Sequence, residues 1–230
     1  TAAEYQWRSF DIPIVVTFTD TIKNAGDPRV LSLVAVSIEG TEMSVADYLG
    51  SGIFSSGSNA KQLEGLNLAI STSNTVGNIA QGTYSWWQAK VDSATTNLTI
   101  EAIGAIISDC TYGDKKRPTV LVGDRDMFDR VCDRLSPSQR FEDSTLADAG
   151  FQNVKVRGVP MIIDSHMDST DLFALTEDHF FLAYSPEDNF KLFPFQMPVN
   201  QKVRLARLGW SGNLVFQSLR TQGGLTGITS

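Results

Sequence analysis

The chain has 230 residues, of which 42% are hydrophobic, and a formal net charge of −7. A chain of this length buries about 70–75% of the surface that its unfolded form exposes, so its core needs no disulfide or metal. The acidic balance excludes a general nucleic-acid binder, because such binding depends on Lys and Arg side chains that displace counterions from phosphates.

The first predicted element is a strand over residues 7–19. Its apolar residues fall mostly on even positions, as in a strand with one covered face: Phe10, Ile12, Ile14, Val16 and Phe18. Pro13 has no backbone N–H to donate to a neighbouring strand. We therefore expect this strand to lie at a sheet edge or to carry a bulge.

A long helix is predicted from Asp27-Pro28 to about Leu49. An aspartate can cap a first turn, and proline has the backbone φ that this turn requires. Gly50 and Gly52 are predicted to end the helix, since glycine favours the position just after a helix. More than twenty residues at 1.5 Å each give a helix of about 30 Å, which is long for a globular protein.

Residues 51–83 are rich in Gly, Ser, Asn and Thr and are predicted to form an extended loop with a short strand around Leu66–Ile70. A loop of this length is usually functional or interactive. It ends at three aromatic residues, Tyr84, Trp86 and Trp87. We expect them to anchor the loop either to the core or to a neighbouring molecule.

The middle of the chain alternates predicted helices and strands. In order, these are a helix ending at Cys110, a strand over 118–122, a helix that follows Asp124 and stops at Pro137, and strands at Val154–Val156, Val159–Ile163, Leu172–Leu175 and Phe180–Tyr184. This order indicates a mixed α/β layer. The only cysteines, Cys110 and Cys132, fall on apolar helix stripes and are predicted to be buried free thiols.

Long strands are predicted from Leu192 onwards, with a phase change near Ala206–Arg207 that indicates a bulge. The most strand-rich segments therefore lie at the two ends of the chain. Because terminal strands often pair, the pattern predicts a middle domain inserted into a terminal one.

One group of residues could hold a metal. Asp164, His166 and Asp168 would share a face if they lay on a strand, and two carboxylates with an imidazole are metal-binding groups. The competing interpretation is a polar turn after Met161–Ile163. A metal-dependent hydrolase using these three residues is therefore the alternative function.

Other catalytic patterns are absent from the sequence. It contains no GxSxG, GxGxxG or GxxxxGK[ST] motif, and two histidines leave little scope for acid–base work near neutral pH. We accordingly predict no catalytic residue, no cofactor-binding residue and no metal ligand as the leading interpretation.

Four groups of stretches, in order along the chain, resemble the major capsid proteins of tailed bacteriophages, whose fold is shared with the floor of herpesvirus capsids. The first group lies before and after the long helix, the second leads to the aromatic residues, the third spans the middle, and the fourth lies near the end. The stretches are 24–26, 50–57 and 64–66; 74–79 and 83–87; 135–141, 147–151 and 156–160; and 198–201 with 210–213.

The resemblance implies an α+β fold with two domains. A peripheral domain, residues 1–93 and 186–230, would contain a long spine helix and long strands, and an α/β axial domain, residues 94–185, would be inserted into it. Members of the family carry an N-terminal arm and an extended loop ahead of the point where this chain begins. We therefore expect this chain to correspond to the folded core of a subunit.

The resemblance also implies a function. The chain would be the capsid protein of a tailed phage or prophage, assembling with itself into hexamers and pentamers of an icosahedral shell around double-stranded DNA that it does not bind specifically. Candidate interface residues are Tyr84, Trp86, Trp87, Arg204, Arg207 and Trp210. A scaffold, a portal and a maturation protease are expected partners, a membrane is not, and assembly is expected in the bacterial cytoplasm. Another structural protein of the virion is a further alternative.

Overall fold

The computed structural model of the chain describes residues 2–23, 27–59, 61–93, 97–113, 116–135 and 154–229. The predicted end of a helix at Pro137 lies outside these ranges. So do residues 24–26, 136–141 and 147–151, which belong to the stretches that resemble phage capsid proteins. In the described part, no helix is both long enough and apolar enough to cross a membrane.

The helices and strands follow one another in a mixed order. The helices are α1 (Phe18–Lys23), α2 (Asp27–Ile53), α3 (Leu66–Ala69), α4 (Ile100–Cys110) and α5 (Arg125–Arg134). The strands are β1 (Arg8–Thr17), β2 (Thr75–Val76), β3 (Ile79–Ala80), β4 (Lys90–Asp92), β5 (Val120–Gly123), β6 (Val154–Val156), β7 (Val159–Ile163), β8 (Leu172–Leu175), β9 (Phe180–Tyr184), β10 (Lys191–Gln196), β11 (Val203–Phe216) and β12 (Gly223–Leu225).

A four-stranded sheet joins the two ends of the chain. Strand β1 pairs antiparallel with β11 from Arg8↔Gly212 to Thr17↔Val203, while β9 and β10 pair with the other side of β11. The predicted pairing of terminal strands is therefore confirmed. Within this sheet β1 lies at the edge, as the missing N–H of Pro13 predicts.

Helix α2 packs against β1 and is longer than predicted. It continues through Gly50 and Gly52 to Ile53, for 27 residues or about 40 Å. The prediction that these glycines end the helix is wrong, because neither has the positive φ of a helix-ending glycine. They provide space instead: a Cβ on Gly50 would lie 2.7 Å from Cε1 of His166, and one on Gly52 3.0 Å from Cδ1 of Leu63.

A six-stranded sheet has the order β4-β12-β8-β5-β7-β6. Helices α4 and α5 contribute the apolar side chains of one core on this sheet, as their predicted stripes require. The side-chain oxygen of Thr99 accepts from the N–H of Ala102 at 3.1 Å and caps α4. Among the described residues no disulfide is formed; Cys110 is fully buried and Cys132 is half-buried.

The loop after α2 fills the space between the two sheets. Its buried residues, including Leu66, Val76 and Trp87, share a second core with Phe173 of β8 and Phe216 of β11. The strand predicted around Leu66–Ile70 is wrong: the N–H of Ile70 bonds the carbonyl of Leu66 at 2.8 Å in a single helical turn, α3. A short apolar run fits the periodicity of a helix as well as that of a strand, so the sequence pattern does not separate the two.

The expected bulge near Ala206–Arg207 is not in β11. Strand β11 keeps an unbroken register with β1, and the irregularity lies in β10 between Phe193, opposite Arg207, and Gln196, opposite Leu205. The change of phase in β11 has another cause. From Ala206 onward the even positions of β11 are buried, whereas Val203 and Leu205 lie half-buried on the opposite face, which shifts the phase of the apolar pattern.

Three strands lie across the domain boundaries implied by the resemblance. Strands β4 and β12, from the terminal segments, belong to the six-stranded sheet, whereas β9, from the middle segment, belongs to the four-stranded sheet. The exact division at residues 94 and 186 stays a prediction.

Candidate assembly surfaces

The aromatic group at the end of the loop divides into buried and exposed members. Trp87 is buried, and its Nε1 donates to the carbonyl of Val76 at 3.1 Å. Tyr84 and Trp86 are 42% and 50% exposed. The Trp86 ring lies between its neighbours, with centroids 6.0 Å from Tyr84 and 5.8 Å from Trp87. Trp87 therefore anchors the loop to the core, and the other two rings face outward.

The three candidates on β11 also differ in position. Trp210 is buried, stacked at a centroid distance of 5.4 Å on Phe10, which in turn contacts Tyr48 of α2 at 4.7 Å. It belongs to the packing between α2 and the sheet. Arg207 lies on the opposite face, with Nη1 3.9 Å from Oδ2 of Asp11, and Arg204 is exposed.

An apolar surface that the sequence reasoning missed lies on β10 and the segment after it. All six side chains of β10 are exposed. We call the β10 patch its exposed large apolar residues together with those that follow: Leu192, Phe193, Phe195, Met197 and Val199. Among the described residues, β10 pairs only with β11, so its outer edge has no partner strand. The sequence signal is an apolar run without alternation, which no single buried face explains.

The β10 patch continues into a groove beside α1. The groove has a volume of about 80 Å³ and is lined by Val16, Phe18, Met197, Lys202, Val203 and Arg204. The N–H of Phe18 bonds the carbonyl of Lys202 at 3.2 Å, which holds α1 next to the start of β11. Arg204, a predicted candidate, thus lies beside exposed apolar side chains of two different elements.

The three residues of the metal hypothesis do not converge. Oδ1 of Asp168 accepts from the N–H of Thr170 at 3.0 Å and from its hydroxyl at 2.9 Å. His166 instead lies between Asp164 and Asp47. Among the described residues, no three His, Cys, Asp or Glu side chains form a group that could hold a metal ion.

Strongly shifted titratable groups lie apart from one another. Burial raises the pKa of the Cys110 thiol on α4 to about 12. Burial likewise raises the pKa of Tyr5 to about 12, and the Tyr5 hydroxyl donates to the carbonyl of Phe216 at 3.1 Å. Each shift has a local packing cause, and the two groups belong to different cores.

The sequence matches no protein-family model, and it matches no curated protein. Solved structures, however, share the fold. The chain is similar to a protein of the cyanophage A-1(L) capsid asymmetric unit, with a TM-score of 0.71, 16% identity, and coverage of 100% of this chain and 78% of that chain. It is similar to the capsid of the native GTA particle, with a TM-score of 0.65, 11% identity, and coverage of 97% and 73%.

The chain is also similar to a protein of the holo-SrpI encapsulin complex of Synechococcus elongatus PCC 7942. The TM-score is 0.61 at 11% identity, over 98% of this chain and 75% of that chain. Matches of this extent confirm the predicted fold: this chain has the α+β fold of phage capsid proteins. At these identities the similarity concerns the fold alone.

Proposed function

We propose that this chain is a coat-protein subunit that assembles with copies of itself into the icosahedral capsid of a tailed phage or prophage. The observation that carries the proposal is the match of the whole chain to the cyanophage capsid protein. The shell would be built from hexamers and pentamers, in which one surface of each subunit meets a different surface of the next. The assembly would take place in the bacterial cytoplasm, and the product would be the virion shell.

The domain division fits this role as a proposal. The four-stranded sheet with α2 would form the body of the peripheral domain, and the six-stranded sheet with α4 and α5 that of the axial domain. Strands β4 and β12, which pair in parallel, would lie at the seam between them.

A second copy of the chain is the proposed occupant of the β10 patch and the groove beside α1. Exposed apolar surfaces often mark sites of protein association, and β10 presents exposed apolar side chains on both of its faces, since Leu192 lies opposite Leu208 and Phe193 opposite Arg207. The β10 patch combines exposed apolar side chains with an unpaired strand edge in the described region. Tyr84, Trp86, Arg204 and Arg207 remain proposed contact residues, since each is exposed; Trp87 and Trp210 would support the surfaces from within the core.

The net charge of the chain supports a shell that encloses DNA without binding it tightly. With a net charge of −7, the subunit would repel duplex phosphates at long range. A filter-binding assay should detect no duplex binding at micromolar protein and physiological salt. Micromolar affinity for duplex DNA would contradict this part of the proposal.

A scaffold, a portal and a protease remain proposed partners.

The similarity to the encapsulin protein favours a second candidate, a shell of the encapsulin type in a cell and not in a virion. Examination of the shells that form in the organism that carries the gene would distinguish the two candidates. Particles that hold double-stranded DNA and bear tails support the phage capsid. Closed shells without DNA or tails support the encapsulin-type shell.

The assembly test compares the wild type with two variants by electron microscopy and sedimentation. The double variant Leu192→Ser/Phe195→Ser removes apolar area from the β10 patch, and Gln196→Ser is the control on the same strand. We expect closed shells or capsomers from the wild type and the control, and folded, unassembled subunits from the double variant. Normal shells from the double variant would exclude the β10 patch from the assembly interface. Assembly itself would be contradicted if the wild type stayed monomeric at high concentration, both as this chain and as part of a longer polypeptide.

A further inference from the structure

The imidazole of His166 lies against the backbone of α2. A Cβ at Gly50 would meet its Cε1 at 2.7 Å, its Nδ1 at 3.0 Å and its Nε2 at 3.1 Å, so only a glycine admits the ring at this distance. His166 belongs to the turn that follows β7. The N–H of Asp164 in that turn bonds the carbonyl of Gly123 at 3.0 Å, which fixes the turn to β5.

Both ring nitrogens of His166 face carboxylates. Nε2 lies 2.9 Å from Oδ1 of Asp47 on α2, and Nδ1 lies 3.1 Å from Oδ1 of Asp164. A neutral imidazole carries one N–H and one lone pair, so it can donate to only one of these oxygens. The imidazolium donates to both carboxylates at once and so matches the two short distances.

The two carboxylates hold the ring with different firmness. Asp164 is 35% exposed and also accepts from the N–H of His166 at 2.9 Å, whereas Asp47 is 79% exposed. Among the described residues, the charged groups that face the imidazole are Asp47 from α2 and Asp164 from its own turn. Asp168, the other acid of the turn, is bonded to Thr170.

We propose that His166 is a proton-dependent latch between α2 and the six-stranded sheet. The protonated ring closes the latch by bonding Asp47 and Asp164 together. When the ring loses its proton, its remaining N–H stays with Asp164, and the contact with Asp47 opens. Because α2 also packs on the four-stranded sheet, the proton controls a connection between the two sheets.

The electrostatics agree with this geometry. The hydrogen bond to Asp47, followed by that to Asp164, raises the pKa of His166 above its ordinary value of 6.5. A raised folded-state pKa means that the stabilisation is complete below the unfolded-state pKa and is lost as the pH rises through the folded-state pKa. The latch is therefore closed in weakly acidic solution and opens on the alkaline side of 6.5.

An NMR titration of the imidazole signals tests the latch in the unassembled chain, so its outcome does not depend on shell formation. The chain has two histidines, and His166→Gln assigns the signal of His166. We expect His166 to titrate above 6.5 in the wild type and closer to 6.5 in Asp47→Asn. Glu42→Gln, which removes an exposed carboxylate elsewhere on α2, should leave the titration unchanged.

Hydrogen exchange provides the structural readout. At a pH below the His166 pKa, amides of residues 46–53 should exchange more slowly in the wild type than in His166→Gln. At a pH about two units higher, the two proteins should exchange alike, since the wild-type ring has then lost its proton. A His166 pKa at or below 6.5, or equal exchange of the two proteins at both pH values, would overturn the proposal.

Discussion

The side chain of Asn213 accepts a hydrogen bond from the backbone N–H of Glu64, with 3.0 Å between Oδ1 and N. The same oxygen accepts from the N–H of Leu214 at 2.9 Å, and Nδ2 donates to the carbonyl of Gln6 at 3.0 Å. Only an amide supplies both an acceptor and a donor of this shape. Asn213, which is 3% exposed, thereby ties the N-terminal segment and the loop after α2 to β11.

Replacing Asn213 should destabilise the fold. Asn213→Ala leaves the N–H of Glu64 and the carbonyl of Gln6 without their partner, so we expect a loss of about 1–3 kcal/mol in the free energy of unfolding. Denaturant unfolding measures it. Asn213→Asp keeps the acceptor but buries a charge, so its loss should shrink at low pH, where the carboxylate is protonated. An unchanged unfolding midpoint for Asn213→Ala would contradict this role.

Two glycines of α2 form a matched pair for testing the helix. Nothing lies within 4 Å of a Cβ added at Gly40, whereas one at Gly50 would meet His166 at 2.7 Å. Gly40→Ala should stabilise the chain by about 0.5–1 kcal/mol, the usual helical gain from glycine to alanine. Gly50→Ala should gain nothing and should displace the His166 ring. Thermal or denaturant unfolding checks both, and equal gains at the two positions would contradict the close contact.

The elements that the sequence predicts correctly are those with strong local signals. Strand β1 has clear alternation, α4 and α5 have apolar stripes, and Pro13 places β1 at an edge. The pairing of β1 with β11 also follows from the strand-rich ends of the chain. These features depend on residues near one another in sequence or on simple topology.

The errors arise where a distant contact decides. Gly50 has the local signal of a helix end, yet the ring of His166, from a distant part of the sequence, occupies the space beside it. The bond of His166 to Asp47 has no local signal either. Among the candidate interface residues, aromatic type alone could not separate the buried Trp87 from the exposed Trp86.

The two cysteines should differ in reactivity. Burial raises the pKa of Cys110 from 9.0 to about 12, and the thiolate is the reactive form, while Cys132 is half-buried. We expect an aromatic disulfide reagent to modify Cys132 first and Cys110 only upon unfolding. Cys132→Ser should then react no faster than the chain unfolds. Rapid native-state labelling of that variant would contradict the burial of Cys110.

His179 should make the fold sensitive to acid. Burial, followed by the nearby charge of Lys116, lowers the pKa of His179 below its ordinary 6.5. Its neutral form is therefore favoured by folding, and stability falls as the pH drops below 6.5, which is the opposite sign to His166. His179→Gln should flatten this part of the pH profile of unfolding. An NMR pKa above 6.5 for His179 would contradict the prediction.

Two tryptophans separate folding from assembly. Trp210 is 1% exposed and stacks on Phe10, so Trp210→Ala should remove about 3–5 kcal/mol from the free energy of unfolding. Trp86 is 50% exposed, so Trp86→Ala should change that free energy by about 0.5 kcal/mol or less.

Only the exposed ring is free to contact another copy, and exposed tryptophans are enriched at protein interfaces. Sedimentation of folded Trp86→Ala should therefore reveal weaker assembly, with Trp7→Ala, a second exposed tryptophan, as the matched comparison. Wild-type assembly by Trp86→Ala would remove Trp86 from the interface, and a large loss of stability in that variant would mean that the ring supports the loop and not a neighbour.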